Sequence, residues 1–315
     1  MDENQYVEEL CSMVGKVLNG RLGNVEEIPP VLYQYTDITA LQGIAENNVL
    51  WATHFRYLND KKELDFGINL SIQYIKEHRS EYHESCTNVF FDEIIGMCQN
   101  SHLNNMLPFH STDVYSISLT SRGDLLSQWR GYGKKYRSVC IGFDANQLAC
   151  DVIDGKHAFF LRKIIYEPEQ QKDIMDSYMR EVCRVLEDNA AFFEQNKNIL
   201  IGVKQRIYTG LIVAALCFKE KCWEEEDEWR IITLPFDTVR NAELQVFFRE
   251  NNYGLVPYIK VPIFINNSAI MAMKKVILPK SGNFDLSSKS LEMFFNQKKN
   301  GCCVPIVESG ISIVY

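Results

Sequence analysis

Short β-branched and aromatic runs recur along this chain at irregular intervals. They are VLYQYTD from Val31, VLWATHF from Val49, DVYSISLTS from Asp113, SVCIGFD from Ser138, FLRKIIYEP from Phe160, EWRIITL from Glu228, YIKVPIF from Tyr258, KKVILPK from Lys274 and GCCVPIVESGISIVY from Gly301. Each has the length and alternation of a strand. Helical patterns of unequal length lie between them, over residues 64–107 and 169–222, the second with a weak break at Asn196 to Asn198. A doubly wound fold needs strands and helices in regular alternation. This chain lacks that alternation, so the expected class is α+β. One elaborated domain is expected over residues 28–315, with helical insertions near 64–107 and 169–222. RYLNDKKELDFG, from Arg56, reads as a loop between strand and helix, and its Asn59-Asp60 is a turn signal. Tyr6, Leu10, Met13, Val14 and Leu18 fall at helical spacing and Asn19-Gly20 stops the pattern, so residues 1–27 read as a helix and linker.

Composition narrows the classes. With 315 residues, 46% of them hydrophobic and 12% aromatic, the chain can bury a large core and is not a disordered protein. A net charge of −8 argues against coating nucleic acid or anionic membrane by bulk electrostatics. The ten cysteines form no CxxC pair, and the six histidines form no HExxH or comparable arrangement. A metal site is therefore not expected, and most cysteines read as reduced core residues. The acidic N-terminus has no basic region followed by an apolar one, and no apolar run approaches the roughly 18 residues of a membrane span. A cytoplasmic protein without membrane contact is expected.

Several segments could carry chemistry. In EEEDEWR, a strand beginning near Asp227 would put Glu226, Glu228 and Arg230 on one face and Asp227, Trp229 and Ile231 on the other. By itself this is either a solvated acidic turn anchored by Trp223 and Trp229, or a pair of carboxylates flanking a reacting ligand. Such a pair can orient a sugar hydroxyl and stabilise positive charge at an anomeric carbon. Tyr33 and Tyr35 share one strand face and read as packing residues. Ser116, Ser118 and Thr120 form a polar face that reads as a cleft wall or as simple exposure. In QWRGYGKKYR, Trp129, Tyr132 and Tyr136 interleave with Arg130, Lys134, Lys135 and Arg137, a mixture suited to stacking on bases and pairing with phosphates.

Taken in order, LYQYTD, LWATHFRYLND, SISLTS, LLSQWRGYG, SVCIGFD and CWEEEDEWRII resemble the bacterial domain-of-unknown-function family 2971, and KKVILPK with VPIVESGISIVY resembles its closing strands. The order of motifs is in turn similar to that of ADP-ribosyltransferases, whose NAD cleft draws on a first core strand, a Ser- or Tyr-bearing strand and a late E-x-E strand. Tyr35 stands where those enzymes have Arg or His, Ser118 stands on the second strand, and Glu226-Asp227-Glu228 is the E-x-E.

That resemblance implies a split β-sheet core around a cleft and NAD as a substrate. It further implies cleavage of the nicotinamide–ribose bond through an oxocarbenium-like transition state. Glu228 would hold the ribose 2′-hydroxyl, Glu226 would orient or deprotonate the acceptor, and Tyr35 and Ser118 would hold the nicotinamide ribose. Asn59, Trp129, Arg130 and Tyr132 would make the remaining contacts to the dinucleotide, with Arg130 or Lys134 at the pyrophosphate. The acceptor is a protein or a nucleic acid, and a toxin or phage-defence effector with an antitoxin or defence partner fits this reading. NAD hydrolysis is the alternative reaction, and a non-catalytic nucleotide- or nucleic-acid-binding module is the alternative class.

Overall fold

The structure is a computed structural model. It describes residues 28–58, 62–99, 114–132, 137–148, 159–233, 236–237, 242–243, 245–251, 254–262, 264–265, 267–280, 283–298 and 303–312, with scattered positions between 9 and 22. Asn59, Lys134, Lys135 and Tyr136 lie outside the described residues. The chain divides into two compact units. One comprises residues 1–25, 54–114 and 162–224, and the other residues 26–53, 115–161 and 225–315.

The first unit is mostly helical. Its helices are α2 (Lys62–His78), α3 (Ser85–Gln99), α5 (Pro168–Asp188), α6 (Ala190–Gln195) and α7 (Lys197–Ala215). Proline at the first position of α5 suits a helix start, because that N–H has no intrahelical partner. Ile174, Tyr178, Val182 and Val185 then bury one face at helical spacing. The segment expected to be a loop from Arg56 is shorter than its polar composition suggested, since Phe55–Tyr57 form a 3-10 turn and α2 is under way by Lys62. Residues 20–22 are still helical, so Asn19-Gly20 does not end the N-terminal pattern. One glycine in a helix costs only about 1 kcal/mol, and Leu22 just beyond it is buried.

The second unit is built on a mixed sheet with the path β12-β11-β4-β1-β3-β2-β10-β9, from which β6 branches at β3 and carries β5 on its far edge. The strands are β1 (Val31–Asp37), β2 (Leu50–His54), β3 (Tyr115–Thr120), β4 (Ser138–Asp144), β5 (Phe159–Lys163), β6 (Glu228–Thr233), β9 (Val246–Asn251), β10 (Gly254–Val261), β11 (Met273–Leu278) and β12 (Ile306–Glu308). A separate short ribbon pairs β7 (Phe236–Asp237) with β8 (Ala242–Glu243). The helices of this unit are α1 (Ile38–Asn47), α4 (Leu126–Tyr132), α8 (Ala269–Ala272) and α9 (Phe284–Lys298). The class is α+β, as the unequal spacing of strands and helices implied.

The edge hairpin of β9 and β10 begins at VFFREN, a run whose strand character the alternation does not reveal because Val246 and Phe248 point apolar side chains to solvent. α9 also escapes the periodicity, since only Leu291 and Phe295 of its fifteen residues are buried. Among the described residues of the final expected strand, only the three of β12 are extended in the sheet, and they pair parallel with β11.

Candidate functional site

One face of the sheet carries the site, and strand register explains how distant residues reach it. β1 and β3 meet at Tyr33 opposite Thr120, and β3 runs antiparallel to β6 with Thr120 opposite Glu228 and Ser118 opposite Arg230. Directly opposed residues share a sheet face, and side chains two apart share it as well. Tyr33 and Tyr35, Ser116, Ser118 and Thr120, and Glu228 and Arg230 therefore all project to the same side.

Tyr33 fits there because its ring lies over two glycines. A methyl group on Gly123 would come within 2.4 Å of the ring, and one on Gly142 within 2.8 Å. Beside it, the Tyr35 hydroxyl accepts from Leu125 N at 2.8 Å and donates to the Arg122 carbonyl at 3.0 Å. The loop before α4 is thus tied to β1 through one phenol. Burial raises the Tyr35 phenol well above its ordinary range, with the neighbouring Cys140 adding to the effect, so the hydroxyl stays protonated.

The E-x-E segment adopts a local geometry different from the expected one. The strand begins at Glu228, and Asp227 before it has φ 41°, a left-handed conformation that Asp tolerates better than most residues. Hydrogen bonds hold this turn. The Ser121 hydroxyl donates to the Asp227 carboxylate, Ser121 N donates to the Asp227 carbonyl at 3.2 Å, and Thr120 Oγ1 donates to the Glu226 carbonyl at 2.7 Å. Glu226 sits in a 3-10 turn and not on a strand, yet it lines the same cleft as Glu228.

Glu228 is not solvated. Its carboxylate receives Arg230 Nε at 2.7 Å and Nη2 at 2.8 Å, a two-pronged pair within one strand. Both side chains are buried, as are all six residues of β6. The reading of EEEDEWR as a solvated turn therefore does not describe Glu228. Trp229 and Ile231, on the opposite face, pack in the core.

The cleft is lined by Tyr33, Tyr35, Ser118, Thr120, Gln128 and Tyr132, together with Glu226 and Glu228. Its volume is about 30 Å³. That is room for about two water molecules. Seven of the residues singled out in the sequence converge here: Tyr33, Tyr35, Ser118, Thr120, Tyr132, Glu226 and Glu228.

Trp129 and Arg130 do not line the cleft. Trp129 is fully buried against Tyr35, with ring centroids 5.0 Å apart and planes at 87°, and its indole N–H donates to Asp124 Oδ1 at 2.8 Å. It is a core residue, and its face is not available to a nucleotide. The same Asp124 carboxylate accepts from the Ser309 hydroxyl at 2.6 Å and from Gly310 N at 2.8 Å, so Trp129 is held by the C-terminal segment as well. Arg130 is exposed and turned away, because consecutive positions on a helix project about 100° apart. The sequence reading missed Gln128. It is 7% exposed and lines the cleft, and the helical register of α4 places it three residues before Tyr132's neighbour Gly131 and four before Tyr132 itself.

Among the described residues, Cys86, Cys140, Cys183 and Cys217 are buried thiols outside any disulfide, and Cys222 and Cys303 are exposed ones. Burial pushes the Cys183 thiol up to about 12 and that of Cys140 higher still, so both remain protonated at neutral pH. Among the described residues no group of three or more His, Cys, Asp or Glu side chains is arranged to hold a metal ion, and no helix is long and apolar enough to cross a membrane.

No curated protein and no solved structure matches this chain. Residues 128–231, which run from Gln128 in the cleft to Ile231 of β6, match the model of a family described as a protein of unknown function, DUF2971.

Proposed function

We propose that this chain is an NAD-dependent ADP-ribosyltransferase-like enzyme acting on a macromolecular acceptor, a protein or a nucleic acid. The observation that supports the reading is the meeting of Glu226 and Glu228 with Tyr35, Ser118 and Tyr132 in one cleft. On this reading the bond between the nicotinamide nitrogen and ribose C1′ breaks, and its electron pair leaves with nicotinamide. The acceptor's lone pair forms the new bond at C1′, and Glu226 takes the acceptor's proton. The Glu228 carboxylate, held by Arg230, faces the positive charge that develops on the ribose. Ser118 offers a hydroxyl to the sugar. The donor and acceptor groups suit ribose, but a cleft of about 30 Å³ admits no dinucleotide. Turnover on this reading therefore begins with outward movement of Tyr132, the lining ring that is 38% exposed.

The small cleft and the buried Glu228–Arg230 pair favour a second reading, in which the pair is structural and the module binds without catalysis. Incubation with NAD labelled in its adenylate phosphate, in the presence of cell lysate, separates the two. Nicotinamide release and label on macromolecules are followed for wild type, Glu226→Gln and the double variant Glu228→Gln with Arg230→Met. Transfer predicts labelled macromolecule and a fall of at least about 100-fold in both variants. Release without label identifies hydrolysis. No turnover by folded wild type overturns the enzymatic reading, and undiminished turnover in both variants overturns its assignment to this cleft.

A further inference from the structure

A second cavity, of about 350 Å³, lies between α1, the start of β4, the end of β11 and α9. It is on the other side of the sheet from the cleft. Val139 lines it and pairs with Thr36, one residue out of phase with the Tyr35–Cys140 pair on the cleft face. Small-molecule sites span roughly 300–1,000 Å³, so this cavity, unlike the cleft, already has the size of one.

Its chemistry is divided. Leu41, Val139, Leu278 and Leu291 form a buried apolar wall, which Phe294 extends. The exposed side carries Gln42, Ser287, Ser290 and Arg137. Arg137 makes no ion pair among the described residues. Two acids at the ends of α1 have other partners: Asp37 accepts from Ala40 N at 2.8 Å as its cap, and Glu46 takes Gln42 at 3.3 Å and Lys298 at 3.1 Å. Lys298 also stands 5.8 Å from the centre of the Phe294 ring, which puts a second cation beside the apolar wall. An apolar pocket with an uncompensated guanidinium at its mouth is complementary to a molecule that is apolar at one end and negatively charged at the other.

We infer that this cavity is a binding site for a small amphipathic carboxylate, with the carboxylate at Arg137 and an aromatic or branched aliphatic body against Leu41, Leu278, Leu291 and Phe294. The site is independent of the reading given to the cleft. Isothermal titration of the full chain with 2-naphthoate, and with its uncharged counterpart 2-naphthylmethanol, tests it. Wild type should bind naphthoate saturably and about tenfold more tightly than the alcohol, the ratio expected of one charge-assisted contact. Arg137→Gln should bring naphthoate down to the level of the alcohol and leave the alcohol unchanged. Ser290→Trp, at an exposed helix position where the fold is not at risk, should abolish both with an unaltered melting curve. Absence of saturable binding by wild type, equal affinity for acid and alcohol, or binding that survives Ser290→Trp would each overturn the inference.

Discussion

Arg230 Nε and Nη2 each meet one oxygen of the Glu228 carboxylate, at 2.7 and 2.8 Å, from a position only two residues along the same strand. Both side chains are almost sealed from water, at 3% and 7% exposure. Alternation along a strand makes such a pair possible, because residues two apart project to the same side. Its energetic meaning depends on burial. Desolvating two charges offsets much of their attraction, but removing one of them leaves the other in a poor environment.

Glu228→Gln should therefore lower stability by about 3–5 kcal/mol, whereas pairing it with Arg230→Met should recover much of that loss. Urea unfolding midpoints of the two variants check this. A single variant as stable as the double would mean that the guanidinium does not depend on this carboxylate.

Trp129→Ala should cost about 3–5 kcal/mol through the cavity it leaves beneath Tyr35. Trp129→Phe should cost less, since it keeps the ring and loses the indole hydrogen bond to Asp124. Thermal melts of both variants distinguish a core tryptophan from a stacking surface, whose loss would weaken ligand binding and leave the melt unchanged.

Gly123→Ala should destabilise the sheet unit by about 1–3 kcal/mol, because the new methyl meets the rigid Tyr33 ring and not a flexible side-chain end. Tyr33→Leu removes that ring. The two substitutions together should cost less than the sum of their separate effects, as measured in a double-mutant cycle.

Lys274 sits 2.9 Å from Asp144, and its hydrogen bond is the main reason that the Asp144 carboxyl is held below the usual carboxylate range. A carboxyl with a depressed folded-state value contributes stability that is present above its unfolded value of about 3.9 and is lost as pH falls through the folded one. Lys274→Met should return Asp144 towards the ordinary range and weaken that acid-side dependence, leaving the smaller effect of Asn146 N. Carbon-detected NMR titration of the carboxyl reads the shift directly.

Much of the site's composition was legible because side-chain alternation is a local property. The shared face of Ser116, Ser118 and Thr120, and that of Glu228 with Arg230, follow from period two alone. The turn at Asp227 was not legible, since its positive φ is held by Ser121 and Thr120, more than a hundred residues earlier in the chain. Nor was the fate of Trp129 in a segment rich in aromatics and cations. The buried or exposed state of its indole is decided by Asp124, Tyr35 and the turn at Ser309 and Gly310. Edge strand β9 and helix α9 were missed because their apolar residues are largely outward, so neither displays the one-sided pattern that burial imposes.

The mixture of strands and helices, the faces of the individual strands and the chemical groups each face carries are readable from the chain alone, because all of them depend on neighbours a few residues away. Long-range packing is what sets Tyr33 beside Thr120 and Thr120 beside Glu228, adds Gln128 to them, and opens Arg137 onto a separate cavity. Those outcomes rest on hydrogen-bond register and packing between segments far apart in the chain, and periodicity within one segment carries no information about which other segment will pair with it.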